Sequence, residues 1–578
     1  MGDRMKRYCA LIVVLLFYAS ILPWPAAAAP KARFSDLILE GGPWVDVRAS
    51  GAVGAVATIQ TAINTLDNAV GGDVFIPAGR YIGSSVLDII GKDNVTIRGA
   101  GKGRTVLDFT GQATLTTTTS GITYAPITVD VLGNAVSGSP IRNFALKDLT
   151  IISSTAAPAD VGYQKSYVAL GYVDGVTIEN VEFIGGYGEG IYIRDSAGGG
   201  GLTASNVRIL RNDFKNNQSL LATGLIDTNT LNAKSILIDG NTFDNVWFAI
   251  AILGENIRVV NNSFKDISGK GIEFGESNGV TTRSLTSSLI ANNTFIGLGK
   301  NPISAVVYGI TVDTREALYT DNTQDIGLII DSNTFVNSCA TNSIVIITAT
   351  GPVSISNNYV SNIVSGSNAD TYFFKWDGYG TSRVDIWLKN NILHKSAYTN
   401  NFNYGMSIAK TDNTYIHLSN NYIDAATIGL YYTNGTSGGG YWPTITYSGD
   451  IFNTSYFAVD NVTNAYSENV PVYGSTAINV TTPVSSGLRH TTLDNTATPS
   501  VAKGKLFQTV LAQPAITNLT NGVIGQEVII MSNDNVVTMT DGGNLKLAGN
   551  WTPSAAYQTI RLQCIDGTIW IELSRSAN

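Results

Sequence analysis

The chain repeats one phrase at a spacing that only a wound structure can absorb. A few alternating apolar residues lead to Asn, one residue follows, and then comes an aromatic or aliphatic side chain. In order these are Arg-Asn-Asp-Phe214, Gly-Asn-Thr-Phe243, Asn-Asn-Ser-Phe264, Asn-Asn-Thr-Phe295, Ser-Asn-Thr-Phe335, Asn-Asn-Tyr-Val360, Asn-Asn-Ile-Leu393 and Asn-Asn-Tyr-Ile423. The repeating Asn is Asn212, Asn241, Asn262, Asn293, Asn333, Asn358, Asn391 and Asn421, shortest in step after Asn241 and longest after Asn293. One step further on, Asp450 takes the same place before Ile451-Phe452. Periods of this order belong to solenoids. The two-residue alternation of Ile236-Leu-Ile238 or Val353-Ser-Ile355 makes the unit a strand. A second strand follows, as in Gly190-Ile-Tyr-Ile193, Gly271-Ile-Glu-Phe274 and Tyr308-Gly-Ile-Thr-Val312. Coils of three short strands stacked about 4.8 Å apart explain both features. The Asn then sits at a bend, bonding the amide above and the backbone below, and the Phe stacks inward. A ladder of like amides satisfies itself when buried, so these residues hold the coil and do no chemistry.

Composition agrees with an all-β chain: 14% of residues are charged, Gly numbers 59, and no long stretch keeps a 3.6-residue apolar period. Arg4, Lys6 and Arg7 precede an apolar run over 10–22, then Pro23, Pro25 and Ala26 to Ala29. That order predicts a secretory signal peptide over residues 1–29, cleaved near Ala28 or Ala29, and hence a secreted protein. The run is too short for a membrane span, so no stable membrane insertion is expected. Without it the chain has 33 basic and 43 acidic residues, a net charge of −10, which argues against nucleic acid as a partner. Cys339 and Cys564 alone remain, which excludes a disulfide framework or a cysteine metal site.

Three stretches near the start carry a family resemblance: Asp46-Val-Arg-Ala-Ser-Gly51, Thr58-Ile-Gln-Thr-Ala-Ile-Asn64 and Gly71-Gly-Asp-Val-Phe-Ile-Pro77-Ala-Gly79-Arg-Tyr81. Together they resemble the opening of the pectate-lyase-like superfamily of carbohydrate-active proteins. The resemblance implies a single-stranded, right-handed parallel β-helix. The family's Gly-Asp-Gly and paired Asp are replaced here by Gly51-Ala-Val-Gly54, which removes helix-capping acids. Ile59, Ala62, Ile63 and Leu66 form one apolar stripe at helical spacing, suited to a helix that closes the open end of the solenoid. The expected organisation is a β-helix domain over 34–475, a linker over 476–503, and a small β-sandwich-like module over 504–578. The module's strands include Glu527-Val-Ile-Ile-Met531 and Thr568-Ile-Trp570-Ile-Glu-Leu573. It resembles C-terminal modules of phage tail-spike β-helix proteins, which implies a homotrimer or glycan attachment.

Aligning the second strand of each coil by its inward apolar residues leaves Tyr192, Arg194, Glu273, Thr311, Asp313, Lys375, Asp377, Ser407 and Tyr431 outward. Most other outward residues are small or apolar, so the cluster of Glu273, Asp313, Arg315, Lys375 and Asp377 is the candidate catalytic group. Tyr192, Arg194, Tyr372, Trp376 and Tyr379 are candidate sugar-binding residues, because aromatic faces stack on sugar rings. Glu273 and Asp313 on adjacent coils would stand about 5 Å apart, the spacing of a retaining glycosidase pair. Asp313 and Asp377 would stand about 10 Å apart, near the upper end for an inverting pair. In a lyase the same cluster would work differently: Lys375 or Arg315 takes the proton beside a uronate, and acids hold Ca²⁺. The plain alternative is a set of surface ion pairs of little energetic value. His394, His417 and His490 are expected at turns, at the surface or in the linker. Two functions follow: a secreted glycoside hydrolase or polysaccharide lyase acting on an extracellular polysaccharide, or a non-catalytic glycan-binding or spike-like protein.

Overall fold

The computed structural model describes residues 44–576, apart from 133–138, 154–166, 195–203, 218–224, 275–286, 300–306, 314–326, 366–371, 378–383, 395–401, 434–443, 454–463, 474–489 and other short breaks. The signal-peptide segment, Arg315 and Tyr379 lie outside the described residues. So does most of the expected linker.

Helix α1 (Val56–Asn64) opens the fold and buries Ile59, Ala62 and Ile63, with Leu66 buried just beyond it. Its N-cap is Ala55, with extended backbone and no side-chain hydrogen bond to the first turn. From Trp44–Asp46 onward the chain winds into parallel strands, each paired with its counterpart one coil away. Two stacks meet at the Asn bend. One runs through Ser205–Leu210, Lys234–Asp239 and Glu255–Val260; the other runs through Asp213–Lys215, Thr242–Asp244 and Ser263–Lys265. The third stack is a separate sheet of twelve strands, Leu87–Ile90 to Ala426–Thr433, in strict chain order.

The bend shows why the phrase repeats. Nδ2 of Asn212 donates to Oδ1 of Asn241 at 3.0 Å and to the carbonyl of Ile178 at 2.9 Å. The same donation passes from Asn241 to Asn262, Asn293, Asn333, Asn358, Asn391 and Asn421 in turn, and ends on Oδ1 of Asp450. Each backbone N–H along the row also donates to the next side-chain oxygen. Every member is buried. The ladder begins at Asn212 because Val181 and Leu149 hold the equivalent place in the coils before it. Beneath it Phe183, Phe214, Phe243, Phe264, Phe295 and Phe335 stack with centroids 4.4–4.9 Å apart and planes within 9°.

The C-terminal module has its own core, which includes Phe507, Ile530, Trp551 and Trp570. Its main sheet is a single mixed one of six strands, from His490–Thr492 to Trp570–Arg575. It also starts earlier than position 504. His490–Thr492 pairs with Leu506–Gln508, and Leu493 and Val501 lie in the core, so the last part of the expected linker belongs to the module. Short strands joined by single bridges leave no period to read.

Candidate functional site

The outward face of the twelve-stranded sheet carries the polar residues, and register decides which of them meet. One row runs Tyr192, Asp227, Ala251, Glu273, Thr311, Ile346, Lys375, Ser407, Tyr431, each paired with the next. A second row, two residues along the strands, holds Arg194, Asp313 and Asp377. Asp313 pairs with Thr348, which is one residue beyond Ile347, the partner of Trp376. Asp377 therefore stands two coils from Asp313, about 10 Å away. Arg194, Asp313 and Asp377 are described in backbone only.

Glu273 faces Thr311, not Asp313. Asp313 is a diagonal neighbour, about 7–8 Å away rather than about 5 Å, because the strands start at different offsets from their Asn. The separation is therefore outside the retaining range and inside the inverting one. Lys375 is three rungs from Glu273, about 14 Å, too far for both to reach one glycosidic bond.

Glu273 is only 4% exposed although it faces outward, and its Oε1 lies 2.7 Å from Nζ of Lys270, which also sits 5.3 Å over the ring of Phe248. Thr311 beside it is 6% exposed, and its hydroxyl is buried with no hydrogen-bond partner. Asp227, 7% exposed, lies in the same row beyond Ala251, which is partly exposed. Asp227 is absent from the sequence-based candidates because its strand, Ile226–Thr228, lies at no fixed distance from the bend. The inward residues Ile226, Ile250, Ile272, Ile310 and Val345 follow Asn212, Asn241, Asn262, Asn293 and Asn333 at an offset that changes with every coil, nearest after Asn241 and farthest after Asn293.

The aromatic candidates divide. Trp376 is fully buried and points into the core, as the parity of Phe374 and Trp376 with Ile310 and Val312 requires. It cannot offer a face to a sugar. Tyr372 is half-buried at the strand start, 5.5 Å from Nζ of Lys375, and Tyr192 is in the outward row but 7% exposed. At the N-terminal end of the row Asp88 pairs with Asp130, and its Oδ1 is buried without a partner. Burial holds its carboxyl above the usual carboxylate range. On another flank Nδ1 of His394 lies 3.2 Å from Asp424, which also accepts the hydroxyl of Tyr422.

Among the described residues no group of three or more His, Cys, Asp or Glu is placed to hold a metal ion. Calcium takes six to eight oxygen ligands, and the ammonium of Lys270 already faces Glu273. The described residues do not fit a Ca²⁺ site. Among them no helix is long and apolar enough to cross a membrane.

Winding, ladder and register together define a class: a right-handed parallel β-helix. Residues 134–306 match the family described as the right handed beta helix region. No curated protein matches the chain. Solved structures similar to the chain at low identity include three of different kinds. The catalytic unit of a GH87 α-1,3-glucanase from Streptomyces thermodiastaticus is 15% identical, covering 77% of this chain and 70% of that one, TM-score 0.41. PfbA, a surface adhesin of Streptococcus pneumoniae, is 14% identical over 93% and 99%, TM-score 0.40. The A-module of the mannuronan C-5 epimerase AlgE4 from Azotobacter vinelandii is 16% identical over 76% and 97%, TM-score 0.39. The homotrimer implied by the tail-spike resemblance finds no support.

Proposed function

We propose that the protein is a secreted enzyme that hydrolyses glycosidic bonds of an extracellular polysaccharide on the outward face of the twelve-stranded sheet. The observation that carries this reading is Glu273. An outward carboxylate that is nearly buried, held by an ammonium at 2.7 Å and flanked by an unpartnered hydroxyl, is costly for stability alone. Side chains in rows suit an extended polymer, with Lys375 and Tyr372 as contacts further along it. Hydrolysis is favoured over β-elimination because Lys375 stands too far from Glu273 to work on the same bond. Asp313, the diagonal neighbour, and Asp377 stand in the adjoining row of the same sheet.

Purified protein incubated with a panel of neutral and acidic polysaccharides tests the reading. New reducing ends without the ultraviolet absorbance of an unsaturated uronate are expected, and Glu273→Gln should abolish them. Appearance of that absorbance would mean elimination. Binding to a glycan without cleavage of any would make the protein a non-catalytic binder.

A further inference from the structure

We infer that the acid partner of Glu273 is Asp227, reached across Ala251, and that the pair hydrolyses with inversion at the anomeric carbon. This inference rests on the reading above and deepens it.

The row places Asp227, Ala251 and Glu273 on three consecutive rungs. The two carboxyl-bearing residues are thus about 10 Å apart along the stack, close to the separation that leaves room for a water opposite the leaving group. Between them the side chain is a single methyl. Ala251 is partly exposed while both acids are nearly buried, so the row dips toward solvent at the midpoint. An independent observation points to a ligand beside Glu273. Thr311, the next rung after Glu273, keeps its hydroxyl buried and unpartnered, at a cost that a bound water or sugar hydroxyl would relieve. On the other side Tyr192 pairs with Asp227 and extends the row.

The roles follow from the charges. Glu273 is in an ion pair with Lys270, so it is present as the carboxylate and can accept a proton. Asp227 is assigned the role of acid. Water attacks the anomeric carbon from the Glu273 side, and the bond from that carbon to the leaving oxygen breaks. The proton of the water passes to Glu273, and the proton of Asp227 passes to the leaving oxygen. One water is consumed, and one reducing end of inverted configuration appears.

The test uses the full chain and a polysaccharide it cleaves, with the product anomer read by proton NMR before mutarotation. Asp227→Asn and Glu273→Gln should each lose at least about a hundredfold in kcat. Azide, a nucleophile that needs no base, should restore turnover to Glu273→Ala. An aryl glycoside with a good leaving group should restore it to Asp227→Asn. Ala251→Leu, which fills the dip, should lose activity with an unchanged melting temperature. A retained anomer, or Asp227→Asn with undiminished rate, overturns this inference and leaves hydrolysis at this face standing. Absence of any cleavage by the unaltered protein overturns both. Melting curves of each variant separate loss of chemistry from loss of fold, and the two rescue experiments report on chemistry even if a variant is less stable.

Discussion

Each Asn-Asn doublet carries two jobs in adjacent residues. The first residue takes a left-handed backbone: φ is 57° at Asn261, 56° at Asn292 and Asn357, and 53° at Asn390, with Ser332, Gly240 and Arg211 in the same role elsewhere. Asn tolerates that region better than most residues. The second residue builds the ladder. Asn293→Ala would leave the N–H of Asn262 and one proton of its Nδ2 without an acceptor and take a donor from the carbonyl of Val259. Each buried unsatisfied group costs about 1–3 kcal/mol, so a loss of about 3 kcal/mol or more is expected in denaturant unfolding. Asp450→Asn, at the ladder's end, should be tolerated, since its Oδ1 only accepts. Asp88 makes the opposite prediction. Burial raises its folded pKa above the ordinary value of 3.8, so its charged form is penalised in the fold. Asp88→Asn should therefore raise the melting temperature at neutral pH, with the difference vanishing as pH falls below about 3.8. A difference that persists in acid would refute the charge argument. At this scale the ladder Asn and the inward Phe were legible, because each depends on a repeated local environment. The buried hydroxyl of Thr311 was not, since burial on an outward face depends on what covers it.

Among elements, α1 and the sheet rows show where period-two and helical patterns suffice and where they fail. The stripe of Ile59, Ala62, Ile63 and Leu66 identified the helix, and its missing cap is visible in the structure: Ala55 has the extended φ of −119° and ψ of 137° that a capping residue needs. Ala55→Ser should stabilise the protein by about 1 kcal/mol, read as a shift of the denaturation midpoint; no shift would mean the first turn is not limiting. On the ladder flank, burial would raise the pKa of Glu182, but Lys215 at 2.7 Å and Thr150 at 2.9 Å outweigh it and the net shift is downward. Its stabilisation is therefore full above the ordinary value of 4.5 and is lost as pH falls through the lower folded value. Glu182→Gln should flatten that acid limb of the stability curve. Trp376 shows how parity overrides a chemical motif. Placing it with sugar-binding aromatics followed its company in Tyr372-Phe-Phe-Lys-Trp376, yet the same alternation that turns Lys375 outward turns Trp376 inward.

For the whole molecule, two separate cores predict two thermal transitions. Trp551→Ala, which empties a buried site in the small module at about 3–5 kcal/mol, should lower one transition by calorimetry and leave the other in place. A shift of both would mean the two cores melt as one. The amino-acid sequence by itself determined the winding: strand, left-handed residue, amide and inward ring are each specified by near neighbours and repeat with every coil. Only the tertiary structure decided which residues share a rung. The coil from Asn293 to Asn333 is nearly twice as long as the one from Asn241 to Asn262, so the offset between the bend and the third strand varies from one coil to the next. Pairing between distant strands is set by packing of the inward side chains, and it brings Asp227 and Glu273 onto one row while moving Asp313 to the diagonal.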